Sequence, residues 1–202
     1  MKYKNLFPSI ALVSALFITS PVSAQDVSPS KTLINAEIIQ NIKKFVNTDI
    51  LRYSIINQNK KYTGLSQDDI DNLDKQWRAE TKSEIQPLIS ATLSNPLSSY
   101  LTRVQARSIG LYTEMFAMDH NGLNVGQSNI SSDYWQGDEA KFQKTYPQGK
   151  DAVFIDEPEY DEELGIWRVQ VNLSIADEDN KNAIGAITVE LNLSELARRK
   201  SL

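Results

Sequence analysis

The sequence predicts an α+β fold, with helices first and then an antiparallel sheet carrying one inserted helix. Three observations predict it. Near the start, Ile34, Ile38, Ile42, Phe45 and Val46 recur at three- and four-residue spacing, with Lys43, Lys44, Asn47 and Asp49 on the opposite face. Near the end, Trp167 to Ile175 alternates throughout, odd residues apolar and even residues polar, the pattern of a half-buried strand. Between them, the character of the chain changes at Gly110.

The helical half begins behind a different kind of segment. Lys2 and Lys4 precede an apolar run from Ile10 to Ile18, and Pro21 leads into Val22-Ser23-Ala24. These are the three parts of an export signal, with cleavage expected before Gln25. The run is much shorter than the roughly 20 residues of a bilayer span. Residues 25–30 read as a mobile leader. From Lys31 a long helix is expected, with Ser30 as its N-cap, continuing to about Asn57. Gln58 to Lys61 and Gly64 make a polar break. Ser66-Gln67-Asp68-Asp69 has the form of a capping box with Asp in place of Glu, and Ile70, Leu73 and Trp77 mark one face of a second helix that Pro87 stops or kinks. Asn95-Pro96 is another break, before a short helix from Leu97 to Ala106.

The sheet half opens with Leu111 to Met118 and the turn Asp119-His120-Asn121-Gly122, with a return strand from Leu123. A short helix follows Gly137-Asp138-Glu139 and carries Phe142 and Tyr146. Ala152 to Ile155 is a short strand, and Asp156 to Glu163 an acidic loop. Trp167 to Ile175 and Ile184 to Leu191 pair antiparallel across Asp177 to Asn182, and Asn192 to Leu196 starts a terminal helix. The domain is expected to span 31–200, its helical part 31–107 and its sheet part 108–202.

Composition excludes several function classes. The net charge of −5 becomes about −7 without Lys2 and Lys4, so nucleic acid and anionic lipid are poor partners. The absence of cysteine leaves no disulfide and no lipidation site, so stability falls to the core of one domain and the mature chain is expected to be free. With a single histidine, His120, no nucleophile elbow and no phosphate-binding glycine loop, the parts of an enzyme are missing. Asp119 and Glu190 are a conceivable carboxylate pair with nothing to fix their separation. The acidic loop lacks the ordered ligand spacing of a calcium site and reads as a solvated charge run. Neither a metal nor a cofactor is expected.

Four segments together resemble the Cache (PDC) sensor domain, the PAS-like extracellular module of bacterial receptors. They are Phe116 to Gly122, Asp133-Tyr134-Trp135, Tyr160-Asp161 with Gly165 to Val171, and Ala183 to Leu193. The resemblance covers residues 105–196, and a long helix before it is also similar. It implies a long N-terminal helix on one face of a five- or six-stranded antiparallel PAS-like sheet. On the other face, under a loop-and-helix lid, it implies a small ligand: an amino acid, an amine or a carboxylate. In receptors of that family the last helix runs on into the membrane; here the chain is expected to act as a free periplasmic domain.

The candidate ligand-binding residues are Asp133, Tyr134, Trp135, Tyr146, Arg168, Asn172 and Glu190. Trp135 offers a stacking or cation–π face, Tyr134 a hydrogen bond to a carboxylate, and Asp133 an acceptor for an ammonium. Glu190 resembles the acidic residue that amine-binding members place in the last strand, and its burial demands a partner, Arg168 or a ligand ammonium. Arg168, Gln170 and Asn172 share the polar face of their strand. Against these stand structural readings: Trp135 as a core plug, Tyr134 at the surface, Glu190 in a salt bridge. A membrane receptor, histidine kinase or diguanylate cyclase is the expected partner of a sensor. A ligand-free adaptor on the same fold is the alternative. An exposed stripe at Ile34, Ile38 and Ile42 would make the N-terminal helix a homodimer face.

Overall fold

The structure, a computed structural model, describes residues 28–201. The export signal and the first half of the leader, residues 25–27, lie outside the described residues. No described helix is long and apolar enough to cross a membrane.

The first helical region is two helices rather than one. Ser30 caps only a short 3-10 turn, Lys31–Leu33, and Asn35 caps α1, Ala36–Val46, by accepting from the Ile38 amide. The chain then breaks at Asn47-Thr48, where Thr48 is extended, and α2 runs Asp49–Lys61. Asn and Thr hold a helix interior weakly because their side chains compete for backbone partners. Arg52 bridges the break, donating to Asn47 Oδ1 and, at 2.9 Å, to Asp49 Oδ1.

The capping box is present in full at α3, Gln67–Glu80. Pro87 does not end this helix; it opens α4, Pro87–Leu93, a helix that the spacing does not announce. Glu80, the last residue of α3, caps α4 by accepting from the Leu88 and Ile89 amides at 2.8 and 2.9 Å. Asn95 caps α5, Pro96–Arg107, again with proline in the first turn.

Six strands form one antiparallel sheet: β1 Tyr112–Met118, β2 Asn124–Gln127, β3 Val153–Ile155, β4 Glu159–Asp161, β5 Ile166–Ala176 and β6 Ala183–Asn192. Their order is β2-β1-β6-β5-β3, and β4 also pairs with β5. Part of the acidic loop is therefore a strand. Asp161 accepts from the Leu164 amide, which closes the β4–β5 turn. The inserted helix α6 is short, Ala140–Gln143, and Tyr146 begins a separate 3-10 turn. Helix α7, Leu193–Lys200, follows β6 directly.

Alternation along the strands sorts the sheet into two faces. Met115, Ala117, Val169, Val171, Leu173, Ile187, Val189 and Leu191 pack against Ile42, Leu51, Ile55, Leu97 and Leu101 from α1, α2 and α5. The stripe Ile34, Ile38, Ile42 is turned onto this core, with Ile34 and Ile42 buried, so it leaves no exposed dimer face. At Gly185 a Cβ would sit 2.2 Å from the Met118 carbonyl oxygen, which is why that position carries no side chain. A second cluster lies beside the sheet: Trp77 of α3, Ile89 of α4, Leu123 and Tyr134. The arrangement, helices on one face of a six-stranded antiparallel sheet, is the one that the resemblance implies.

Candidate functional site

The polar residues of the strands define the other face. Glu114, Phe116 and Met118 of β1 lie beside Ala186, Thr188 and Glu190 of β6, and these beside Arg168, Gln170, Asn172 and Ser174 of β5. The centre of this face is filled. Phe116, Met118 and Ala186 pack under Phe142 of α6, which stacks on Tyr146 at 5.4 Å. Thr188 donates to Asn172 Oδ1 at 2.7 Å, and Asn172 Nδ2 donates to the Phe154 carbonyl, so both amide ends are spent internally.

Toward β4 the face is open. Glu139, Lys141, Asp156, Glu157, Glu159, Arg168, Gln170 and Glu190 line a cleft of about 150 Å³. Each is placed by local structure. The β4–β5 pairing sets Glu159 opposite Arg168, the Asp156 amide donates to the Gln170 carbonyl, and α6 brings Lys141 from above. Glu190 is 4% exposed and sits at the bottom. Its carboxylate accepts from Thr113 Oγ1 at 2.8 Å, from Arg168 Nη1 at 3.3 Å and from Gln170 Nε2 at 3.3 Å. The bulge at Thr113 brings that hydroxyl to Glu190. Arg168 Nε lies 3.4 Å from Asp161 Oδ2 but makes no aligned hydrogen bond. The guanidinium is thus stretched between two carboxylates and held tightly by neither. Lys141 pairs with Glu139 at 3.0 Å. Five carboxylates against two cations make the cleft an attractive place for positive charge.

Of the seven candidate residues, Arg168 and Glu190 come together in this cleft. Tyr146 and Asn172 share its face but belong to the filled centre. Asp133, Tyr134 and Trp135 are elsewhere, on the strand-like segment that pairs with Leu123. Tyr134 is buried and stacks on Trp77 at 5.2 Å, the reverse of a surface tyrosine. Trp135 is half-buried; its indole donates to the Asn121 carbonyl and covers Gly137, where a Cβ would lie 2.3 Å from Nε1. Asp133 pairs with Arg78 at 2.8 Å. The segment is held by Asp74 of α3, whose carboxylate accepts from the Tyr134 and Trp135 amides at 2.9 and 3.1 Å. Packing thus withdraws these three from the cleft.

Asp119 and His120 clamp a turn. Asp119 accepts from the Asn121 and Leu123 amides, and burial pushes its carboxyl up. His120 donates its amide to Asn59 Oδ1. Asp119 lies five residues along the chain from Glu114, the register partner of Glu190, roughly 17 Å at about 3.3 Å per residue, so the two carboxylates form no pair.

Sequence reasoning passed over Glu114, Thr113, Glu139, Lys141 and Asp161. A signal existed for Glu114, the lone charge in the run Leu111 to Met118. The acidic side of the cleft had none, since a folded carboxylate cluster and a solvated one have the same composition.

No family model matches the chain, and no curated protein matches it. Among solved structures, it is similar to the ligand-binding domain of the Campylobacter jejuni chemoreceptor Tlp3 in complex with 4-methylisoleucine, at 16% identity over 77% of this chain and 65% of that one, with a TM-score of 0.39. It is also similar to the ligand-binding domain of the Pseudomonas aeruginosa amino acid chemoreceptor PctC in complex with GABA, at 12% identity over 81% and 63%, with a TM-score of 0.36. The extracellular domain of the histidine kinase rpHK1S-Z16 aligns at 13% identity over 67% and 61%, with a TM-score of 0.42. This chain spans less than two thirds of each of these three chains.

Proposed function

We propose that this protein is an extracytoplasmic sensor domain that binds a small amine-bearing ligand, an amino acid or a simple amine, in the cleft between β4, β5, β6 and α6. The observation that supports this reading is Glu190, a nearly fully buried carboxylate at the bottom of an acid-lined cleft. An ammonium entering there meets Glu190 from above while Thr113, Arg168 and Gln170 hold it from the sides. Arg168, poorly satisfied by Asp161, is free to take a ligand carboxylate where there is one. The occupied cleft would tie α6 to β4, and the altered surface would be presented to a membrane receptor or kinase from the periplasm.

The filled centre of the same face favours a second reading, a ligand-free adaptor. A thermal-shift screen of amines, amino acids and short carboxylates separates the two. A ligand that binds only the native state adds about 2.7 kcal/mol at 100 times its Kd. The sensor reading expects stabilisation by amines and not by simple carboxylates, lost in Glu190→Gln and kept in Trp135→Phe. A flat response to every amine sinks it in favour of the adaptor.

A further inference from the structure

The most singular group on this face is one the cleft does not use directly. Glu114 and Glu190 are register partners on β1 and β6 and share a face. Residues opposed in this way hold their Cβ atoms about 4.5–5.5 Å apart, a spacing at which two like charges repel. Glu190 has three donors of its own. Glu114 is half-buried, and among the described residues no hydrogen bond or ion pair reaches its carboxyl. The groups that face it are Glu190 from β6, Arg168 from β5, stretched between Glu190 and Asp161, and Lys141 from α6, paired with Glu139. Asp156, Glu157 and Glu159 add further negative charge across the cleft. Two adjacent carboxylates with one set of donors favour a single negative charge.

We propose that Glu114 and Glu190 act as one proton-binding pair: the empty cleft holds a proton on Glu114, and a cation seated on Glu190 expels it to solvent. The second half rests on the reading of the cleft given above; the first does not. Burial and the Glu190 charge push the Glu114 carboxyl up to about 7, with Lys141 and Arg168 pulling the other way. The sensor's affinity for an amine therefore rises with pH across the neutral range, and proton release accompanies binding.

The test is a pH titration of the full-length protein by NMR of its glutamate side-chain carboxyl carbons, with Glu114→Gln used to assign the resonance. The expected Glu114 midpoint is near neutrality, and it falls by about one pH unit or more in Glu190→Gln, a tenfold or larger loss of proton affinity. A wild-type midpoint in the ordinary carboxylate range overturns the proposal without any variant. A high midpoint unchanged in Glu190→Gln also overturns it, since burial alone would then hold the proton. The same titration with millimolar putrescine reads the coupling, and a further fall is expected. If the pair titrates as proposed but neither putrescine nor any amine of the thermal screen moves it, the proton pair stands, and the coupling and the amine reading of the cleft fail.

Discussion

Glu114 and Glu190 differ by one strand and by everything their neighbours do. Both are carboxylates on the same sheet face, yet only one receives donors. The consequence for stability has a definite sign. A carboxyl whose folded pKa lies above its unfolded value binds more protons when folded, so its contribution is complete at low pH and disappears as pH rises. For Glu114 the window runs from its ordinary 4.5 up to about 7. Wild type is expected to lose stability across that window relative to Glu114→Gln, which carries no such proton. Urea midpoints of both proteins at several pH values check this, and parallel curves would refute it. At this scale the sequence was partly legible. Glu190 stood out because a charge in an apolar strand needs a partner, whereas Tyr134 and Trp135 did not disclose whether they pack or bind, because an aromatic ring serves either use.

Helix ends were more legible than helix lengths. The Ser66-Asp69 box works as the sequence suggests, because a cap is a contact between residues three apart, and the break expected at Asn95-Pro96 is itself the capped start of α5. The break at Asn47-Thr48 and the cap that Glu80 supplies to α4 were hidden. One rests on a weak propensity that packing decides, the other on a contact between separate helices. Asn95 joins both kinds of evidence: it accepts from the Ser98 amide and donates to the Val125 carbonyl of β2. Asn95→Ala should cost about 2 kcal/mol, the cap and the β2 bond together, and Asn95→Ser, which keeps the cap, about 1 kcal/mol. No loss in Asn95→Ser, measured by denaturant unfolding, would show that the β2 bond adds nothing, and equal losses in the two variants would show that the cap adds nothing.

Among the described residues the molecule has one large core and two smaller clusters, one of them Phe116, Met118, Phe142 and Ala186 on the other sheet face. The large core joins α1, α2, α5 and the sheet, whereas Trp77, Tyr134, Ile70, Ile89 and Leu123 form a cluster of their own. Local opening follows such divisions. Trp77→Ala should therefore speed amide exchange in α3, α4 and residues 131–135 far more than in β5 and β6, and uniform acceleration would show a single cooperative unit. The sequence by itself determined the α+β class, the two faces of β5 and β6, the turn at Asp119 to Gly122 and the acidic balance. These follow from periodicity and local chemistry, which read over a few residues. Only the tertiary structure decided which polar residues meet. It took Asp133, Tyr134 and Trp135 away to pack on α3, filled the middle of the sheet with Phe142, and set β4 beside Arg168 at the edge of the cleft that holds Glu190. Each of these turns on contacts between residues distant in the chain, and their free energy depends on three-dimensional burial rather than on any short pattern.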